Sequence, residues 1–143
     1  AAPDIASVLG LRDRAMLELL YACGLRVSEL VGLTLSQIGV NQGVLRIMGK
    51  GAKERLVPIG EEALAWLTSY FNGPRLDLIK QRQCNTVFPT RSGGKMTRQA
   101  FWHRIKLHAK KAGNEDISEF AEAFQEKERK KTNLLCAVPI ANA

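Results

Sequence analysis

Residues 21 to 33 read YACGLRVSELVGL, and the arginine at their centre decides how the chain is interpreted. Gly24 stops a helical pattern, Arg26 follows, and Val-Ser-Glu-Leu looks like the start of another helix. A permanently charged guanidinium thus sits at a junction flanked by leucine and valine. Upstream, LRDRAMLELLYACG (Leu11 to Gly24) carries Leu11, Met16, Leu19, Leu20 and Cys23 at helical spacing, which predicts a buried helix ending at Gly24. Downstream, Ser28 is the expected cap of a short second helix, SELVGLTLSQI, with Leu30, Leu33 and Ile38 facing inward and Gly32 weakening the pattern.

Beyond that helix the period changes. In GVLRIMGKGAKERLVPIG, Val44, Arg46 and Met48 alternate with Leu45 and Ile47, and RLVPI follows a glycine-punctuated turn, so the segment predicts a β-hairpin. Gly49 and Gly51 flank Lys50, so the lysine is expected to project from the turn. Pro58 cannot donate to a ladder and places the second strand at an edge or near its end. EEALAWLTSYFNG predicts a helix with acidic residues in its first turn and Leu64, Leu67 and Phe71 facing inward. Residues 73 to 96 read as loop, interrupted by an extended TVFPT.

The segment TRQAFWHRIKLHAKKAG predicts a helix capped by Thr97. Phe101, Trp102, Ile105, Ala109 and Ala112 share one face, and His103, Lys106, Lys110 and Lys111 gather on the other. Arg98 and Gln99 occupy its first turn, where a helix inserted in a major groove offers side chains to base edges. The fold class is therefore α+β, mostly helical, with a small antiparallel hairpin or sheet.

Composition narrows the function classes. The 143 residues, 45% hydrophobic, suffice for one core of ordinary size. No apolar run approaches the ~20 residues of a membrane span, and AAPDIASVLG has no basic segment leading into a secretory apolar stretch, so a cytoplasmic protein is expected. Cys23, Cys84 and Cys136 are widely spaced with no CxxC pair, and His103 and His108 lack acidic or cysteine companions; neither a disulfide framework nor a metal site is expected. Charge is uneven: residues 1 to 113 hold 17 Lys+Arg against 8 Asp+Glu, net +9, while residues 114 to 143 hold 4 against 6, net −2. A basic body of this kind suits a polyanion, although a solvated basic surface gives the same count.

Three motifs in order, YACGLRVSELVGL, GKGAKERLVPIG with its lysine 24 residues after Arg26, and MTRQAFWHRIK, closely resemble the tyrosine recombinase and integrase family, and within it the Xer type. The resemblance spans roughly Leu11 to Gly113 and implies a catalytic-domain fold that cleaves and rejoins DNA through a 3′-phosphotyrosyl link without metal or other cofactor. By resemblance Arg26 is the first catalytic arginine and Lys50 the general acid toward the departing 5′-oxygen. The chemistry fits the residue types. A guanidinium stays charged and offers parallel N–H donors to two phosphate oxygens, and a lysine whose pKa is lowered by desolvation or neighbouring cations can donate a proton near neutrality. The resemblance further implies DNA contacts from Lys53, Arg55, Arg98, Gln99, His103, Arg104 and Lys106. Double-stranded DNA is the expected partner, with a partner recombinase alongside, and neither a membrane nor a small-molecule substrate.

The family pattern continues with His-x-x-Arg and a nucleophilic tyrosine near the C-terminus. Neither is present: residues 114 to 143, NEDISEFAEAFQEKERKKTNLLCAVPIANA, hold no histidine or tyrosine and one arginine, Arg129. The remaining tyrosines, Tyr21 and Tyr70, fall on predicted helices and read as packing residues. The expectation is a partial catalytic domain over residues 1 to 113, inactive in strand cleavage, followed by a divergent tail with one short amphipathic helix built on Ile117, Phe120, Ala121 and Phe124. The alternatives are a noncatalytic DNA-binding or regulatory module that keeps the fold, and a basic RNA-binding chain, against which the lack of paired stacking aromatics counts.

Overall fold

The structure, a computed structural model, describes residues 5–49, 51 and 53–111. Lys50, Ala112 and the tail from residue 113 on lie outside the described residues. The chain divides into two compact units, Ala1–Arg98 and Gln99–Ala143.

The first unit opens with helix α1 (Ile5–Cys23), which packs against α3 (Glu61–Asn72) and α4 (Pro74–Ile79). Its buried face holds Val8, Ala15, Met16, Leu19 and Leu20. Leu11, expected inside, is 42% exposed. The inward positions beside it belong instead to Arg12 and Asp13, both almost fully buried: Arg12 donates Nε and Nη2 to Asp13 Oδ1 at 3.0 and 2.8 Å and Nη1 to the Pro89 carbonyl at 3.0 Å. A charged pair with its donors engaged occupies interior space that a leucine alone had been expected to fill. Gly24 then stands at φ +62°, the left-handed residue that ends the helix, its N–H bonded to the Leu20 carbonyl at 3.1 Å.

Helix α2 is shorter than the sequence suggests, Val27–Val31, and begins earlier, with Arg26 rather than Ser28 at its N-cap. It stops at Gly32 because the next backbone groups are taken up elsewhere. Val87 N–H donates to the Leu33 carbonyl at 3.0 Å and Leu35 N–H to the Asn85 carbonyl at 2.8 Å. A 3₁₀ turn (Leu35–Gln37) follows, and Ile38, expected on the helix, lies half-buried in strand β1 (Ile38–Gly39).

Strands β2 (Val44–Met48) and β3 (Glu54–Pro58) form the expected hairpin, and β1 extends it to an antiparallel sheet in the order β1-β2-β3. Leu45 and Ile47 are buried, Arg46 and Met48 exposed, as the alternation requires. Pro58 lies on the edge strand at its last position.

Helix α3 buries Ala63, Leu67 and Tyr70, with Leu64 and Phe71 only half-buried. The inward stripe is thus rotated by one residue from 64-67-71. Tyr70 turns in because its ring stacks on Phe88 at 5.3 Å and its hydroxyl donates to the Val87 carbonyl at 2.8 Å. The stretch expected as loop contains α4, which starts with Pro74 at its first position, directly after Gly73. Helix α5 (Arg98–Lys111), which belongs to the second unit from Gln99 on, buries Phe101, Trp102 and Ile105, with the first two rings edge to face at 5.3 Å.

Candidate nucleic-acid interface

Arg26 is placed by the residues on either side of it. Leu25 and Val27 are 2% and 1% exposed, so the backbone at the junction is pinned by buried side chains while Arg26 itself remains half-exposed. Its backbone is extended, φ −78° and ψ 149°, as an N-cap requires. The cap comes from Glu29, three residues on, whose Oε1 accepts the Arg26 N–H at 2.9 Å. Among the described residues no carboxylate pairs with the Arg26 guanidinium.

The hairpin is drawn to the same junction. In the β2-β3 register Arg55 lies opposite Ile47 and Val57 opposite Leu45, so Arg55 shares the face that turns inward. Its Nη2 approaches Glu29 Oε2 at 3.8 Å. One carboxylate therefore reaches the Arg26 backbone with one oxygen and the β3 arginine with the other. On the outer face Arg46 Nε meets Glu54 Oε1 at 3.3 Å. Beyond the strands the turn is closed by Gly49 N–H donating to the Lys53 carbonyl at 2.7 Å, and both residues are exposed. Lys50 lies between them in sequence and outside the described residues.

The remaining candidates sit on α5. Arg98, Gln99, His103 and Lys106 are exposed, and Gln99, His103, Lys106 and Lys110 recur at i, i+4, i+7 and i+11, a single stripe opposite the buried residues. Arg104 is half-buried and off that stripe.

Two functional-looking arginines went unread in the sequence. Arg12 is described above. Arg75 is 6% exposed and donates Nη2 to the Cys84 and Thr86 carbonyls at 2.7 and 2.9 Å and Nε to the Val87 carbonyl at 3.2 Å. It holds the 84–87 segment that pairs with residues 33–35 behind α2. Glu29 was also missed, although a glutamate three residues after a helix boundary is a capping signal. Both tyrosines behave as packing or surface residues. Tyr70 is buried, and burial pushes its hydroxyl well above the usual tyrosine range despite the opposing charges of Arg75 and Arg12. Tyr21 is 70% exposed on α1. Among the described residues no group of His, Cys, Asp and Glu is arranged to hold a metal ion, and no helix is long and apolar enough to cross a membrane.

The phage integrase family model matches residues 1–124. The chain belongs to the phage integrase family. Its similarity to individual members of that family is high. Tyrosine recombinase XerD of Pseudomonas putida is 61% identical over 112 residues, 78% of this chain and 38% of that protein, and XerD of Proteus mirabilis is 60% identical over 113 residues, 79% and 36%. The crystal structure of XerA recombinase superposes with a TM-score of 0.60 at 25% identity, over 79% of this chain and 42% of that one. Helices with a small antiparallel sheet are thus the fold of a phage integrase family catalytic domain. The chain spans 36 to 38% of the length of the two XerD proteins.

Proposed function

We propose that these residues form part of a tyrosine recombinase catalytic domain and bind the backbone of double-stranded DNA in site-specific recombination. Arg26 is the phosphate ligand: its guanidinium is not paired with a carboxylate among the described residues, and its backbone is fixed between two buried side chains. That observation carries the reading, because a preorganised donor costs no reorganisation when charge develops on the phosphate. Lys50 is the general acid toward the departing 5′-oxygen, carried by a turn whose base at Gly49 and Lys53 adjoins the strand that Glu29 ties to Arg26. Lys53 contributes a phosphate contact. Arg98, Gln99, His103, Arg104 and Lys106 engage DNA from α5, Arg98 and Gln99 at base edges and Lys106 at the backbone.

The 143 residues hold no tyrosine after Tyr70 and no His-x-x-Arg. These residues by themselves therefore bind DNA without forming a phosphotyrosyl link. A nicked suicide duplex tests both halves. The expected outcome is a salt-sensitive complex in a native gel and no covalent adduct in a denaturing gel. An adduct would overturn the binding-only reading, and no complex at any salt would overturn the DNA reading.

A further inference from the structure

The sequence suggests that Arg55 touches the DNA backbone, but its surroundings give it another task. Arg55 stands opposite Ile47, on the face that buries Leu45 and Ile47, rather than on the outer face with Arg46, Met48 and Glu54. Its guanidinium approaches Glu29 Oε2 at 3.8 Å, while Glu29 Oε1 accepts the Arg26 N–H at 2.9 Å. We infer that Arg55 is a positioning residue for Arg26, holding strand β3 against the α1–α2 junction through the Glu29 carboxylate. This rests on the reading that Arg26 binds a DNA phosphate.

Physical chemistry favours a coupling of this form. Glu29 has two oxygens and uses them on two partners, Arg26 and Arg55, that are 29 residues apart in sequence, so its rotamer is fixed only when both are present. Removing Arg55 frees one oxygen, lets the carboxylate rotate, and loosens the cap that sets the direction of Arg26. The Arg55 and Glu29 side chains are 57% and 23% exposed, so the pair is a weak tie. Its effect is accordingly modest, about two- to fivefold in an equilibrium constant.

A double-mutant cycle on duplex DNA separates positioning from direct contact. Binding of the intact chain is measured by fluorescence anisotropy for the wild type, Arg26→Ala, Arg55→Gln and the double variant, with thermal melts to confirm folding. The expected result is a loss of about two- to fivefold for Arg55→Gln in the wild-type background, none in the Arg26→Ala background, and recovery of most of the loss in Arg55→Lys. Equal losses in both backgrounds would make Arg55 an independent phosphate contact and overturn the inference, as would no loss in either. Should Arg55→Gln melt early, Glu29→Gln supplies the second arm: its loss must also vanish when Arg26 is absent. Failure of the underlying reading looks different, because Arg26→Ala would then bind like the wild type.

Discussion

A phosphate-binding arginine has to be held in place by its backbone and left without a carboxylate at its tip, and among the described residues Arg26 meets both conditions through its neighbours. Leu25 and Val27 anchor the chain, and Glu29 spends its carboxylate on the Arg26 N–H and on Arg55, leaving the Arg26 guanidinium without a carboxylate among the described residues. Arg75 shows the opposite arrangement. Its donors are taken up by three backbone carbonyls, so its role is structural, and Arg75→Met should cost roughly 3 kcal/mol in a urea melt because the Cys84 and Thr86 carbonyls lose the guanidinium, while the Val87 carbonyl keeps the Tyr70 hydroxyl. Tyr70→Phe should cost only about 1 kcal/mol, since Arg75 still donates to the Val87 carbonyl. A larger loss for Tyr70→Phe than for Arg75→Met would contradict this ranking. Cys23 offers a pH test. Its thiol donates to the Pro58 carbonyl at 3.7 Å, and burial pushes its pKa from 9.0 up to about 11. The neutral thiol is favoured in the fold, so its stabilising contribution is complete below pH 9 and disappears as pH rises through about 11. In a chain with Cys84 and Cys136 changed to serine, alkylation of Cys23 should be slow at pH 9 and accelerate toward pH 11; rapid reaction at pH 9 would refute the shift.

At the level of elements, what the sequence made legible was whatever local periodicity and turn chemistry determine. The body of α1, the hairpin alternation at Leu45 and Ile47, and the buried face of α5 at Phe101, Trp102 and Ile105 all follow from side-chain spacing. The errors lie where distant segments compete for backbone groups. Helix α2 ends at Val31 because residues 85–87 capture Leu33 and Leu35, and α3 rotates by one residue because Tyr70 finds Phe88 and the Val87 carbonyl. Helix α4 was readable from Gly73-Pro74, a stop followed by a proline start, yet the surrounding polar residues masked it. The junction ahead of Arg26 also has a local requirement. Gly24 stands at φ +62° with nothing within 4 Å of where a Cβ would lie, so Gly24→Ala should destabilise through the backbone alone, by about 1 kcal/mol, with Gly24→Asn milder; a thermal melt showing no difference between them would argue against that strain. On α5, Lys106→Ala should weaken binding to all duplexes alike and lower the salt slope by about 0.9, whereas Arg98→Ala should cost about 1 to 3 kcal/mol at a single base position.

For the molecule as a whole, the sequence motifs located the family and the arginine, while the second contact of the Glu29 carboxylate, to Arg55, emerged only in three dimensions. Arg26 and Lys50 are recognisable from glycine-flanked motifs 24 residues apart. The Glu29–Arg55 tie is not, because nothing in sequence says which face of β3 meets which end of α2 until the strand register is known. The net charge of +9 on residues 1 to 113 makes salt the natural variable for testing the whole account. The most direct measurement is the dependence of duplex affinity on salt for the wild type and Arg26→Ala. The account predicts a linear fall of log affinity with log salt, with a slope smaller by about 0.9 and weaker binding when Arg26 is removed. Identical slopes and affinities for the two proteins would contradict it.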